Sequence, residues 1–365
     1  MRRRPYKFMK NEPVYFDISD DLENYPDAWA YLAWSKRGPG KTYSTLRYMI
    51  DHGHKFMFVK RTKNDIDILC ADGSKRGVNF DVSPFVPLNR DFGWNIKPVK
   101  IITGIAGFYH ADEDGKPFGD PVGYCAALST SKDIKGFDMS EVDYMIYDEF
   151  IPKKGDRISR SEGDQLLEMY MTLRRDRILR GRDELKLICL ANATSVNNPT
   201  FIILDIVDDV VTMDVRGTEL LYLKDRKMLL HSLDPTKYVV ESEQSGIELA
   251  MSGTAWAEMA LEGHFAYDDF TAVKHDRLKG YKPLCAYTYR KKDVYIYVKD
   301  GGYYYASNAR ANVQQRYNLA RENEQKKFYY DYVVDLYNEC IEDRMRFENF
   351  TMYDLIINYK KIFTI

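Results

Sequence analysis

The segment Ser35-Lys36-Arg37-Gly38-Pro39-Gly40-Lys41-Thr42 limits what this chain can fold into more than any other stretch. Residues 28–34 before it are almost wholly apolar, and beyond it Leu46, Met49 and Ile50 follow a helical pattern. Strand, tight loop, helix is the order that results. The loop matches the phosphate-cradling pattern Gly-x-x-x-x-Gly-Lys-[Ser/Thr] at every constrained position except the first, where Ser35 replaces glycine. Glycine at 38 and 40 lets backbone N–H groups turn inward, so Ser35, Lys36, Arg37, Gly38 and Gly40 are expected to line a phosphate cradle at the positive end of the helix. Lys41 adds a point charge for the outer phosphates of ATP, and Thr42 a hydroxyl for Mg2+. A chance Gly-Pro-Gly turn is the plain alternative, and the legible strand and helix on either side argue against it.

A phosphate loop binds nucleotide without saying what is done with it. Tyr144-Met145-Ile146-Tyr147-Asp148-Glu149 is an apolar strand ending in two carboxylates, as a magnesium-orienting aspartate and an adjacent general base require. Asp148 is expected to serve the metal and Glu149 the attacking water; an N-cap and a surface residue are the bland reading of the same pair. A further buried strand, residues 187–191, ends at Asn192, whose amide suits a γ-phosphate sensor or, with Asn197-Asn198-Pro199 just beyond, a turn. Arg174, Arg175, Arg177, Arg180 and Arg182 offer an arginine for a neighbouring subunit's site, and the residues alone do not choose among them. Lys153, Lys154 and Arg157 follow Glu149 closely and form either a phosphate-contacting loop beside the acidic pair or an ordinary solvated cluster. Lys60 and Arg61 end a short apolar run, and either is placed to hold Glu149 in an unproductive pose.

Strands are predicted at residues 56–59, 99–108, 124–128, 144–147, 187–191 and 210–213, separated in several places by helical patterns such as residues 165–173. The alternation argues for an α/β, mainly parallel sheet, with an extra hairpin at Asp114-Gly115. At 365 residues the chain is long enough for two domains at ~100 to 200 residues each. The expected division is 1–225 for the nucleotide domain with its lid, 226–278 for a linker or lid subdomain, and 279–365 for a smaller α+β domain. Fifteen of the 29 tyrosines fall in residues 276–365, where three antiparallel strands and helices over 328–341 and 352–363 are predicted. The formal charge of −2 excludes a uniformly basic nucleic-acid coat. Five dispersed cysteines form no CxxC pair, the histidines show no metal-ligand spacing, and no apolar run approaches ~18 residues. An intracellular protein with no membrane segment is therefore expected.

Beyond these motifs, Phe58-Val59-Lys60-Arg61-Thr62-Lys63, Asp148-Glu149-Phe150-Ile151, Cys189-Leu190-Ala191-Asn192-Ala193-Thr194-Ser195 and Gly253-Thr254-Ala255-Trp256-Ala257-Glu258-Met259 occur in order, followed by Arg346-Phe347-Glu348-Asn349. On these blocks the chain resembles the DNA-packaging (encapsidation) ATPases of small podoviruses of the Picovirinae type. The resemblance implies a P-loop NTPase fold of the additional-strand, catalytic-glutamate (ASCE) type, and a C-terminal domain like a vestigial RNase H-like nuclease. It implies a ring, pentameric in this family, that is transiently docked on the portal protein of a procapsid in the bacterial host cytoplasm and hydrolyses ATP to drive double-stranded DNA inward. A packaging RNA is a further implied partner. Motif by motif it makes Lys41 and Thr42 the P-loop pair, Asp148 the magnesium acid, Glu149 the catalytic acid and Asn192 the sensor. It puts the trans-acting arginine on Arg175 and a second trans-acting base on Lys63, while Ser35 departs from the glycine that relatives can have.

A two-metal nuclease needs several converging carboxylates, one usually on a central strand. Residues 285–289 carry none, and Asp293, Asp300, Asp331 and Asp335 fall mostly in predicted turns or helices, so no cleavage is expected. The competing readings are a helicase-like motor, a packaging motor with an active C-terminal nuclease, and a non-catalytic nucleotide scaffold. The Asp148-Glu149 pair argues against the last.

Overall fold

The computed structural model describes residues 15–35, 38–71, 82–153, 156, 158–159, 161–175, 177–234, 237–238, 265 and 270–365. The chain divides into two compact units, Met1–Asp205 with Arg216–Tyr267, and Ile206–Val215 with Asp268–Ile365.

The first unit runs α1 (Ile18–Asn24), β1 (Ala30–Ser35), α2 (Lys41–Asp51), β2 (Phe56–Lys60), α3 (Lys63–Leu69), α4 (Val86–Phe92), β3 (Ile96–Ile102), β4 (Ile105–Ala111), β5 (Pro117–Ala127), β6 (Tyr144–Asp148), α5 (Glu162–Arg174), β7 (Lys186–Asn192) and α6 (Pro199–Ile203). After α7 (Val207–Arg216) come β8 (Leu220–Leu223) and β9 (Met228–Ser232). The strands form one sheet in the order β3-β4-β5-β2-β6-β7-β1-β9-β8. The six strands from β5 to β9 in that order pair in parallel, while β3, β4 and β8 add antiparallel edges. β1 is buried at all six positions, the burial expected of a parallel strand covered on both faces. α2 presses Leu46 and Met49 into the same core as Tyr31, Phe58 and Ile146.

Three sequence expectations are corrected. The single strand over 99–108 is two antiparallel strands, β3 and β4, because Gly104 takes a left-handed φ of 81° and turns the chain. The apolar run at 210–213 is part of helix α7, with Val207, Val210, Val211 and Met213 buried at helical spacing. Residues 228–232, within the span assigned to a linker, are β9, which pairs in parallel with β1 inside the large sheet. The Asp114-Gly115 hairpin does join β4 to β5.

The second unit comprises α7, β10 (Tyr281–Tyr289), β11 (Lys292–Lys299), β12 (Tyr303–Ser307), β13 (Arg316–Asn318), α8 (Glu322–Phe328), a π-helical turn (Tyr329–Val333), α9 (Val334–Ile341), β14 (Met345–Phe347), α10 (Phe350–Ile357) and α11 (Tyr359–Phe363). Its sheet order is β13-β10-β11-β12-β14. β10, β11 and β12 are antiparallel neighbours, and β13 runs parallel to β10. Arg290 and Lys291 both take positive φ, 48° and 63°, which suits the twist of a two-residue hairpin. One sheet face packs Cys285, Tyr287 and Ile296 against Phe328, Leu336 and Leu355. The other carries Tyr295, Tyr297 and Tyr305, each at most 4% exposed, so these three tyrosines pack the sheet. Within this unit the Asp208 carboxylate of α7 accepts from the Thr351 N–H at 3.0 Å and tethers the start of α10. No helix among the described residues is long and apolar enough to cross a membrane.

Candidate nucleotide site

Four adjacent strand ends meet at one edge of the large sheet: Lys60 of β2, Asp148 of β6, Asn192 of β7 and Ser35 of β1. Parallel pairing places them there, since Ser35 lies opposite Asn192 and β6 ends in register with β7. The carboxyl edge of an open parallel sheet is where such folds bind ligands.

The loop between β1 and α2 has the conformation its glycines permit. Gly38 and Gly40 have φ of 100° and 84°, and a Cβ on Gly40 would also meet the Tyr15 ring at 3.2 Å. Lys41, the first residue of α2, is only 8% exposed, and its Nζ donates to Ser35 Oγ at 2.6 Å. The serine that breaks the glycine pattern thus holds the lysine amine. Asn192 Oδ1 lies 3.5 Å from the same amine. Burial lowers the Lys41 pKa to about 7, partly offset by the Asp148 carboxylate.

Thr42 Oγ1 donates to Asp148 Oδ1 at 2.8 Å, which brings a hydroxyl and a carboxylate together as a pair of hard oxygen donors. That pair fits Mg2+, which takes few protein oxygens and leaves the rest of its octahedron to water and phosphate. Lys60 Nζ is 2.7 Å from the other Asp148 oxygen and 3.5 Å from Glu149 Oε2, while Lys153 Nζ is 3.4 Å from Glu149 Oε1. Burial alone would raise the Glu149 pKa, but these two ammonium groups outweigh it and hold the carboxyl below its ordinary value. Burial would likewise lower Lys60, and the Asp148 and Glu149 carboxylates instead hold it above its ordinary value. Glu149 sits in the left-handed region at φ 58°. A cleft of about 300 Å³ opens beside it, bounded by Lys60, Arg61, Thr62, Asp148, Glu149 and Lys153.

Of the two bases ending β2, Lys60 contacts the Glu149 carboxylate and Arg61 does not. Arg61 Nη2 donates instead to the backbone carbonyls of Glu149 and Phe150. These pairings join residues 88 or more positions apart, and the only hint in the sequence is two bases directly after an apolar run.

The arginines separate clearly. Arg177 is 1% exposed and donates to the carbonyls of Asp183, Ser140 and Val142 and to the Asp143 carboxylate. Arg180 and Arg182 bond to Ser140, and Arg182 also to Asp143. Arg174 lies 3.7 Å from Glu184. Arg175 is exposed at the C-cap of α5. Lys63, the first residue of α3, lies 3.5 Å from Asp133. Lys36, Arg37, Lys154, Arg157 and the block from Gly253 to Met259 lie outside the described residues. In the second unit Asp331 accepts from the Tyr317 hydroxyl at 2.7 Å and Asp293 from Thr288 at 2.6 Å, while Asp300 is 3.7 Å from Lys282. Among the described residues no three His, Cys, Asp or Glu side chains are grouped to hold a metal.

The depressed Lys41 pKa carries a pH prediction. An amine lowered to about 7 is mostly neutral above that pH, and a triphosphate held beside it would restore its charge, so nucleotide binding at this site would take up a proton. Between pH 7.5 and 9, ATP affinity measured by calorimetry is expected to fall toward tenfold per pH unit, with the uptake visible in buffers of different ionisation enthalpy. A pH-independent affinity in that window would contradict the buried, depressed amine.

The model of the family described as podovirus DNA encapsidation protein (Gp16) matches residues 116–354. The DNA packaging protein of Bacillus phage PZA is 26% identical over 244 residues, covering 65% of this chain and 62% of that protein. That of Bacillus phage B103 is 25% identical over 268 residues, 72% of each chain. The match thus spans about three fifths of the PZA relative's length. A solved chain of the bacteriophage Phi-29 viral genome packaging motor assembly aligns with a TM-score of 0.64 at 21% identity, covering 96% of this chain and 98% of that one, and the two share a fold.

Proposed function

The chain belongs to the podovirus DNA encapsidation (Gp16) family, and on that premise we propose that it is the ATP-driven motor subunit that moves double-stranded viral DNA through the portal into a procapsid. The observation that carries the chemistry is the meeting of Lys41, Thr42, Asp148, Glu149 and Asn192 at one sheet edge. β7 lies between the strand of the phosphate loop and the strand of the acids, which supports the ASCE type of P-loop fold. In the second unit, three antiparallel strands with a fourth parallel to the first support an RNase H-like origin. Asp293, Asp300 and Asp331 are each engaged by a different side chain, Thr288, Lys282 and Tyr317, and the reading includes no nuclease activity.

In this reading the loop from Ser35 to Thr42, including Lys36 and Arg37, cradles the phosphates, and Lys41 neutralises the outer ones. Thr42 and Asp148 would hold Mg2+, which when bound supplies charge neutralisation for the transferred phosphoryl group. Glu149 orients the attacking water and accepts its proton at a carboxylate oxygen, and Asn192 contacts the γ-phosphate beside Lys41. The carboxylate must first leave Lys60 and Lys153. DNA phosphates drawn to Lys153, Lys154 and Arg157 compete for the second of these contacts and so favour the productive pose. A Lys60→Ala variant whose ATPase stays fully DNA-dependent would contradict the restraining role of Lys60.

Arg175 acts on a neighbouring subunit, with Lys63 as a second trans base. α5 is 13 residues long, about 20 Å at 1.5 Å per residue, with Glu162 of the site network at one end and Arg175 capping the other. That separation favours action on a neighbour's nucleotide over its own. The reading therefore takes the assembly to be a homo-oligomeric ring, a pentamer docked on portal protein in the host cytoplasm, with or without a packaging RNA.

The test is steady-state ATP hydrolysis with and without long double-stranded DNA. Stimulation that weakens steeply with salt, as phosphate contacts require, is the expected result. Unwinding of a forked duplex would favour the helicase-like reading instead, and hydrolysis indifferent to DNA at every salt concentration would contradict any DNA-translocating reading.

A further inference from the structure

We infer that Arg61 is a positioning residue for hydrolysis: through the backbone rather than the carboxylate, it fixes the left-handed peptide from which Glu149 projects. The inference rests on the ATPase reading above. A non-glycine residue at φ 58° is intrinsically disfavoured and persists where its surroundings over-determine it. Arg61 provides that determination. Its Nη2 reaches the carbonyl of Glu149 at 3.1 Å and that of Phe150 at 3.2 Å, so one guanidinium edge grips both peptides that follow the strained residue.

The guanidinium is itself anchored. Arg61 Nε lies 3.2 and 3.0 Å from the two carboxylate oxygens of Glu162, whose side chain is only 3% exposed. The same carboxylate accepts from the Tyr147 hydroxyl at 2.9 Å. Tyr147 is in β6, one residue before Asp148. The two acids are therefore bracketed: the residue before them and the carbonyls of Glu149 and Phe150 after them are tied into one buried network that ends on the first residue of α5. Arg61 Nη1 also lies 3.7 Å from Asp156. Only a planar fork serves Nε and Nη2 partners at once, and a lysine here keeps the charge and loses the geometry.

A group that acts only by aiming Glu149 has a kinetic signature. Arg61→Lys and Glu162→Gln are each expected to lower kcat at least tenfold, with KM for ATP and affinity for a non-hydrolysable ATP analogue within about threefold of wild type. In the Glu149→Gln background neither change is expected to lower the residual rate further, because the group being aimed is already gone. Circular-dichroism melting of each variant reads folding separately. Variants that melt like wild type and retain its kcat would overturn the inference, as would losses that multiply in the double variants. If Arg61→Lys fails to fold, Glu162→Gln alone decides. Wild-type turnover in the same assay separates the two readings: with it present and the variants matching it, only the positioning role falls, whereas if wild type never hydrolyses ATP, both fall.

Discussion

Glu149→Gln is expected to lower steady-state ATP turnover by about 10² to 10⁴, the range for loss of a general base, while ATP still binds with near wild-type affinity. The substitution keeps the size of the side chain and removes the charge that draws Lys60 and Lys153. Lys41, Thr42 and Asp148 are untouched, so the phosphate site persists. Radiolabelled phosphate release together with fluorescent-nucleotide binding checks both halves. Equal loss of binding and turnover would place Glu149 in the nucleotide cradle instead, and undiminished turnover would remove it from the chemistry.

Arg175→Ala is expected to reduce turnover by a factor on the order of 10³ to 10⁵, the contribution of an arginine supplied to phosphoryl transfer. The assignment follows the family resemblance, and the neighbouring Arg177 is held in bonds to its own chain. Trans action has a sharper consequence. Mixing Arg175→Ala with Glu149→Gln subunits creates interfaces that join an intact Glu149 to an intact Arg175, so two inactive preparations recover part of the ATPase when combined. No recovery in co-assembled rings would mean that both residues serve the same nucleotide.

How far the sequence carries depends on distance along the chain. The strand, glycine loop and helix from residue 30 to 51 are contiguous, so local chemistry alone specifies them. Asp148 and Asn192 are legible because an apolar strand ending in a polar residue marks the carboxyl edge of a sheet. Helix α7 was hidden by the β-branched pair Val210-Val211, which reads as strand, while the burial that makes it helical spans Val207 to Met213. β9 lies in the span expected to be a linker, and its place beside β1 is a long-range pairing that no local pattern encodes. The grip of Arg61 on the Glu149 carbonyl is of the same kind, because it exists only once β2 and β6 are neighbours.

The most direct measurement of the central claim is protection of full-length viral DNA from nuclease by procapsids supplied with this protein, in parallel with Glu149→Gln. The account predicts nuclease-resistant DNA with wild type and ATP, and none with the variant or with a non-hydrolysable analogue. Protection that needs no hydrolysis, or vigorous hydrolysis that protects no DNA, would contradict it.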